Sequence, residues 1–288
     1  MQSVFSVILR KIHYTVTIMA KASKILFISQ EITPYLPQSE MSTIGRELPQ
    51  KIQESGKEIR TFMPKWGNIN ERRNQLHEVI RLSGMNIIID DTDHTLVIKV
   101  ASIQAARMQV YFIDNDDYFQ QTSSTDVDAC DYEDNDERTI FFARGALETV
   151  KKLRWCPDVI HCQGWISSLV PLYIKKAYND EPSFRNSKIV LSLFDSKFEG
   201  KLPSTLPEKA LMRGIESADI DINRDNIDCN ELSRLAIDYA DGIITHGPNI
   251  DKGLVDYAVS RGLPVIGYNG EDDFADRCNA LYDTVFDK

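Results

Sequence analysis

Residues 24–29 read KILFIS, a continuous apolar run between a lysine and a serine. Such a run predicts a strand that is buried on both faces, like a central strand of a parallel sheet. Helix-compatible sequence follows from Met41 to Ser55, and Gly56 after it is typical of a helix C-cap. Glu58–Met63 then predicts a second strand, which Pro64 ends. The order strand, helix, strand starts an alternation typical of α/β proteins.

The rest of the chain continues this alternation, with one interruption. Three strand-like runs without a helix between them predict a small antiparallel or mixed β insertion; they are Asn86–Ile89, Thr95–Ala101 and Gln109–Ile113. From Asp136 the alternation resumes, with a helix predicted over Trp165–Tyr178 and a strand over Leu263–Gly267, and it runs to a last helix that begins near Asp272. We therefore predict an α/β, Rossmann-like, doubly wound and mostly parallel sheet, with ligands bound at the carboxyl ends of the strands.

Composition agrees with a sizeable core and limits the partners. The chain has 288 residues, of which 42% are hydrophobic, and 33 Lys and Arg against 43 Asp and Glu give a net charge of −10. Because this charge lacks the basic footprint of a nucleic-acid binder, we expect no nucleic-acid partner. No run reaches the ~18 apolar residues of a membrane span, so we expect no membrane partner. Five cysteines without CxxC spacing favour buried, reduced thiols in a cytoplasmic protein.

Residues 1–18 resemble a signal peptide only faintly. The apolar run Val4–Leu9 is short, and two basic residues follow it, whereas a signal peptide places its charge first. We predict that Met19 is the native start and that residues 1–18 are a non-native or disordered extension. The domain itself is then expected to occupy residues 19–288.

Polar and aromatic residues follow two predicted strands, 158–162 and 188–194. Imidazole, amide and indole groups at such strand ends suit a sugar, by hydrogen bonding and by stacking. The candidate sugar-binding residues there are His161, Gln163, Trp165, Asp195 and Glu199. A histidine that hydrogen-bonds within the core stays open as the alternative for His161, and the two acids need no function if they lie on an exposed loop.

An acidic segment, residues 126–137, holds seven carboxylates in twelve positions. Asp126 and Asp128 form a DxD pair that suits a divalent cation beside a nucleotide sugar. A solvated loop whose acids complement the dipole of the next helix is the favoured interpretation. The sequence also lacks GxGxxG after the first strand, GxxxxGK[ST] and HExxH, so it predicts no cofactor and no metal site.

Eight ordered blocks resemble the N-terminal catalytic domain of bacterial glycogen synthases and plant starch synthases, which are GT-B glycosyltransferases using a sugar nucleotide. They extend from Lys24 to about Asn269. The blocks are residues 24–31 (KILFISQE, for KILFVSSE), Thr33-Pro34 with Leu48-Pro49, 64–67, 110–115 with 118–119, 132–135 with Arg138 and Phe142, 158–161 with Trp165, 188–193 with Gly200, and 239–241 with Pro248. The resemblance adds Asp134, Asn135 and Arg138 to the candidate sugar-binding residues.

The departures from this family lie in its donor loop, KTGGLADV, which receives ADP- or UDP-glucose. Pro37 stands for the lysine that faces the donor phosphates, and Thr43 stands for the aspartate. Ser39 and Glu40 replace the two glycines, although a backbone nest around a pyrophosphate needs glycine for close approach. The degenerate donor loop thus comprises Pro37, Gln38, Ser39, Glu40 and Thr43.

Other family positions also differ, since Gln163 and Gly164 stand for the second histidine and the aspartate of HAHDW. The chain ends soon after the block that matches the family's NGID, so we expect the second Rossmann-like domain to be missing. The resemblance and its departures together predict a domain that is catalytically impaired alone and binds α-glucan, weakly a sugar nucleotide, as an accessory or regulatory subunit. Two alternatives stay open. One is an active glucosyltransferase completed by a partner chain or a homo-oligomer, and the other is a non-enzymatic protein-interaction scaffold.

Overall fold

The fold is built on one large sheet with helices on both faces. A computed structural model of the chain describes residues 20–120, 132–195, 198, 200–268 and 270–288. Within these ranges the strands are β1 (Lys24–Ser29), β2 (Glu58–Pro64), β3 (His77–Glu78), β4 (Met85–Ile89), β5 (Thr92–Ile103), β6 (Met108–Asp114), β7 (Val159–Gln163), β8 (Lys188–Leu193), β9 (Gly242–His246) and β10 (Val265–Tyr268). Their order across the sheet is β10-β9-β8-β7-β1-β2-β6-β5-β3, and β4 pairs with β5.

The helices of the described residues connect these strands and cover the sheet. They are α1 (Glu40–Glu54), α2 (Asp116–Phe119), α3 (Asn135–Leu153), α4 (Val170–Lys176), α5 (Leu206–Lys209), α6 (Cys229–Asp238), α7 (Lys252–Ser260) and α8 (Phe274–Phe286). None of the helices in the described ranges is both long enough and apolar enough to cross a bilayer.

Strand β1 lies at the centre of the sheet, as its apolar run predicts. It pairs in parallel with β2 on one side and with β7 on the other. Ile25 and Phe27 belong to a core shared with α1 and α8, whereas Leu26 and Ile28 belong to the larger core shared with α3. The chain leaves β1 in one direction and returns to its other side at β7, so the switch point of a doubly wound sheet lies between β1 and β7.

The predicted β insertion is mixed, and it extends the main sheet. Strand β5 runs antiparallel to both β4 and β6, but β6 pairs in parallel with β2 through Thr61–Val110 and its neighbours. The run Gln109–Ile113 therefore belongs to the parallel part of the sheet. The sequence pattern cannot show this, because it reveals that a segment is a strand but not which strand it pairs with.

Two further expectations need adjustment. The helix predicted over 165–178 is interrupted, since residues 165–167 form a 3₁₀ turn and α4 begins at Val170 with Pro171 in its first turn. Proline suits that position because its missing N–H would lack a helical partner there anyway. The described cysteines are free thiols and are buried, except Cys156, which is exposed.

Candidate functional site

A large cavity opens at the carboxyl edge of the sheet, between the start of α1 and the ends of β9 and β10. Its volume is about 730 Å³. The lining residues are Gln38, Ser39, Glu40, Thr43, Ile44, Gly247, Pro248, Tyr268 and Gly270. Four of the five residues of the degenerate donor loop thus face one space. We call it the α1 cavity.

Ser39 caps helix α1 on the wall of this cavity. Its hydroxyl accepts a hydrogen bond from the Ser42 backbone N–H at 2.9 Å, and the Ser42 hydroxyl accepts one from the Ser39 N–H at 2.8 Å. This reciprocal pair is a capping box. Ser39 also donates to the Glu31 carboxylate at 2.6 Å. Two N–H groups at the helix start are therefore committed to protein side chains.

The mouth of the α1 cavity is acidic. A Cβ built on Gly247 would lie 3.9 Å from Oε2 of Glu40, so the Glu40 carboxylate stands close to the end of β9. Burial first, and then the charges of Glu40, Glu47, Glu271 and Asp272, raise the pKa of Tyr268. Several carboxylates therefore act on the same aromatic ring, and their negative potential favours neutral or cationic ligands over anionic ones.

His161 lies inside the sheet, away from this cavity. It is fully buried, with Nδ1 2.7 Å from the Tyr282 hydroxyl and Nε2 2.6 Å from the Ser192 hydroxyl. The Ser192 oxygen also lies 2.9 Å from Nε2 of His246. Burial lowers the pKa of both imidazoles to about 3, and for His161 the nearby His246 contributes. No ring atom of His161 is left for a sugar, so the core alternative describes this histidine.

Gln163 and Trp165 also lie below the surface. Gln163 is fully buried and accepts a hydrogen bond from the Ser29 hydroxyl at 2.6 Å. The Trp165 ring packs edge-on against Phe198, with centroids 5.2 Å apart, and its indole N–H has no acceptor among the described residues. Trp165 lines a cavity of about 30 Å³, which has room for a buried water and not for a glucose ring.

Asp134, Asn135 and Arg138 gather at the start of α3. Arg138 is 1% exposed and donates to both carboxylate oxygens of Asp134, at 2.8 and 3.1 Å. Its guanidinium carbon lies 4.1 Å from the ring centre of Tyr132. Asn135 is buried. Arg138 therefore fixes the N-terminal end of α3 through its ion pair with Asp134. Part of the Asp134 carboxylate remains exposed.

The remaining predicted residues do not converge on the α1 cavity. Pro37 is not among the residues that line it; its carbonyl accepts a hydrogen bond from Ser42 at 2.9 Å. Asp195 is exposed just after β8. Glu199 and the DxD pair at 126 and 128 lie outside the described residues.

Tyr268 is the residue of this site that the sequence interpretation overlooks. It is the last residue of β10, and it lies in the wall of the α1 cavity. The sequence does contain a signal for this residue. Tyr268 is an aromatic residue directly after the predicted strand 263–267, at the edge of the sheet where α/β proteins bind ligands.

Curated relatives of this chain are glycogen synthases. The chain is 37% identical over 197 residues to one from Chlorobium luteolum, which covers 68% of this chain and 40% of that protein. It is 33% identical over 247 residues to one from Pelodictyon phaeoclathratiforme, which covers 83% of this chain and 50% of that protein. The chain thus spans half the length of these relatives or less.

A solved structure supports the same grouping at the level of the fold. The chain superposes on the catalytic domain of starch synthase IV from Arabidopsis thaliana, bound to ADP and acarbose, with a TM-score of 0.70. The match covers 89% of this chain and 53% of the other, at 16% identity. The α/β, Rossmann-like architecture expected for a GT-B glycosyltransferase domain is therefore confirmed.

The family itself follows from the sequence. A sequence model described as starch synthase catalytic domain matches residues 24–265, which include strands β1 to β9 and helix α1. With so much of the chain matched, and with glycogen synthases among its relatives, this chain belongs to the starch synthase catalytic domain family.

Proposed function

We propose that the chain is a glycogen- or starch-synthase-like domain that binds α-glucan or a sugar and has little or no transferase activity alone. In this role it serves as an accessory or regulatory subunit in the cytoplasm, beside an active synthase. The observation that carries the proposal is the start of α1, where Ser39 caps the helix and Glu40 supplies a carboxylate. The family's donor loop has glycines at both positions, by the alignment given above.

This helix start disfavours the diphosphate of a sugar nucleotide. Glycine lets phosphate oxygens approach backbone N–H groups closely. Here the side chains of Ser39 and Glu40 stand at those positions, and the Ser42 N–H already donates to the Ser39 hydroxyl. A phosphate about 4 Å from the Glu40 carboxylate meets a repulsion of about 1 kcal/mol in water and about 4 kcal/mol near a protein surface. Millimolar binding is worth only about 4 kcal/mol, so this repulsion weakens a sugar nucleotide decisively.

A neutral sugar fits the same space better. The α1 cavity, at about 730 Å³, lies within the usual range of ligand pockets. Tyr268 offers a ring, Gln38 an amide and Thr43 a hydroxyl. Carboxylates accept hydrogen bonds from sugar hydroxyls, so the Glu40 charge that repels phosphate is compatible with a glucan.

The test is isothermal titration of the purified chain with ADP-glucose, UDP-glucose and a malto-oligosaccharide. We expect measurable binding of the malto-oligosaccharide and no sub-millimolar binding of either donor. Incubation with donor and glucan, followed by assay of released nucleotide, is expected to show no turnover above background.

Two single substitutions locate the binding. Glu40→Gln removes the charge in the α1 cavity, and we expect it to improve donor binding severalfold. Glu54→Gln removes the same charge at the far end of α1, from an exposed residue outside the cavity lining, and is the matched control. Sub-millimolar donor binding by the unaltered chain would overturn the claim of impairment. Absence of measurable malto-oligosaccharide binding would overturn the claim of glucan binding and favour a protein-interaction scaffold.

A further inference from the structure

A second cavity, of about 260 Å³, lies at the opposite edge of the sheet, where β2 and β6 begin. Its polar lining residues are Gln53, Glu58, Arg60, Arg107, Gln109 and Tyr111. Because all parallel strands start at this edge, the cavity is separate from the strand ends that frame the α1 cavity. We call it the arginine cavity.

Arg60 is held in place there with most of its hydrogen-bonding capacity unused. Its guanidinium carbon lies 6.0 Å from the ring centre of Tyr111 and 5.6 Å from that of Trp155. Nη1 donates to the Tyr111 hydroxyl at 2.9 Å, Nη2 is 3.9 Å from Glu58, and Nε has no acceptor among the described residues. A guanidinium has five N–H donors, so this group is positioned by its rings and still has donors to offer.

Arg107 supplies a second cation in an unusual backbone conformation. It lies just before β6 at φ +50°, in the left-handed region that costs most residues free energy and that glycine adopts readily. Its side chain is exposed, and the described residues provide it with no ion-pair partner.

The charge of the cavity contrasts with that of the chain. Two arginines face one glutamate, whose Oε1 is already bonded to the Trp155 N–H at 2.7 Å. The chain as a whole carries −10. A positive concavity on an acidic protein attracts anions, and guanidinium groups match the geometry of phosphate oxygens.

The glutamines indicate that the ligand also carries hydroxyl groups. The Gln53 amide donates to the Arg107 carbonyl at 3.4 Å, and its Oε1 has no donor among the described residues. An amide group both donates and accepts, as a sugar hydroxyl does, so glutamines beside the arginines suit a ligand that carries hydroxyl groups next to its anion. Gln109 lies beside Arg60 at the start of the neighbouring strand and brings a second amide. The volume suits a ligand smaller than a typical drug.

We infer that the arginine cavity binds a small phosphorylated sugar, with its phosphate on Arg60 and Arg107 and its hydroxyls on Gln53 and Gln109. This site is distinct from the α1 cavity and does not depend on the proposed function.

Titration with glucose 1-phosphate, inorganic phosphate and glucose, each alone, tests this inference. We expect glucose 1-phosphate to bind at least tenfold more tightly than either fragment, because only it carries both the anion and the hydroxyl groups. Equal binding of inorganic phosphate would mean a simple anion site and would overturn the sugar part. Absence of glucose 1-phosphate binding would overturn the inference altogether.

Arg107→Gly locates the ligand without endangering the fold, since glycine suits φ +50°. Loss of one charged hydrogen-bonding partner is expected to weaken glucose 1-phosphate about tenfold or more. Arg154→Gly is the matched control, because Arg154 is another exposed arginine with positive φ and lies outside the cavity lining. Unchanged affinity in Arg107→Gly would contradict the assignment.

The failure of this inference can be told from that of the proposed function. Glu40→Gln alters only the α1 cavity and is expected to leave glucose 1-phosphate binding unchanged, whereas Arg107→Gly is expected to leave malto-oligosaccharide binding unchanged.

Discussion

Gly164 shows at the residue scale why one departure from the family cannot be reversed alone. It follows β7 at φ +84°, and a Cβ added there would lie 2.6 Å from both Cβ and Oε1 of Gln30. The Trp66 N–H donates to the Gln30 carbonyl at 2.9 Å, so the Gln30 backbone is held by a buried partner. The aspartate that the family has at this position therefore finds no space here.

We predict that Gly164→Asp lowers the free energy of unfolding by about 2–4 kcal/mol, through overpacking and left-handed strain. Urea denaturation measures the loss. Gly56→Asp is the control, because Gly56 has φ +97° and nothing within 4 Å of an added Cβ, so it reports the strain alone. Similar losses at the two sites would show that the contact with Gln30 is not the cause.

The two buried imidazoles make the free energy of unfolding depend on pH. His161 and His246 have a pKa of about 3 in the folded chain, against 6.5 as the ordinary value, because burial disfavours the charged form. In the unfolded chain they take up protons at higher pH. The unfolded state is therefore favoured increasingly as pH falls from about 6.5 towards 3, and the stability is regained as pH rises.

We predict that His246→Gln reduces this loss of stability, by up to about 1.4 kcal/mol per pH unit below pH ~6. Its absolute stability at neutral pH is expected to fall, because the ring stacks on Phe194 with centroids 4.0 Å apart. Urea unfolding at several pH values gives the slope. His77→Gln at an exposed site is the control, and an unchanged slope in His246→Gln would refute the assignment.

At the scale of elements, the sequence predicts the boundaries of the strands better than it predicts the side-chain contacts around them. The runs at 24–29 and 58–63 match β1 and β2 to within a residue, because the buried stretch of β1 leaves a continuous apolar pattern and Pro64 marks the end of β2. The burial of His161 does not follow, although it lies near the end of a strand. It is the third residue of β7, between Phe27 and Val190 in the register, and its hydroxyl partners come from β8 and α8. Partners this distant in sequence leave no local signal.

The capping hydrogen bond at the start of α1 stabilises that helix. Ser39→Ala removes the side-chain acceptor for the Ser42 N–H and is expected to cost about 1 kcal/mol of unfolding free energy. Ser39→Gly is expected to cost several tenths of a kcal/mol less than Ser39→Ala, since glycine is tolerated as an N-cap while both variants lose the hydrogen bond to Glu31. Thermal unfolding of both variants measures the difference. Equal losses would mean that the capping hydrogen bond contributes little.

For the whole molecule, the two edges of the sheet differ in charge. The carboxyl edge presents Glu40 and Tyr268 around the α1 cavity, and the amino edge presents Arg60 and Arg107 around the arginine cavity. The family resemblance predicts the first cavity, because its degenerate loop appears in the sequence. It does not predict the second, because residues 53, 60 and 107 meet only through the parallel pairing of β2 with β6.

The α1 cavity is bounded by α1, β9 and β10, and the degenerate donor loop forms the α1 side of it. The triple variant Pro37→Lys, Ser39→Gly and Glu40→Gly restores the family's residues at the positions that would face phosphate. We predict that it binds ADP-glucose at least tenfold more tightly than the unaltered chain in isothermal titration, because a carboxylate is removed and a cation and two glycines are gained. Glu54→Gln, at the far end of α1, is expected to change donor binding little. If the triple variant gains nothing, the weakness lies elsewhere, and the Gly247 and Tyr268 side of the cavity becomes the part to alter.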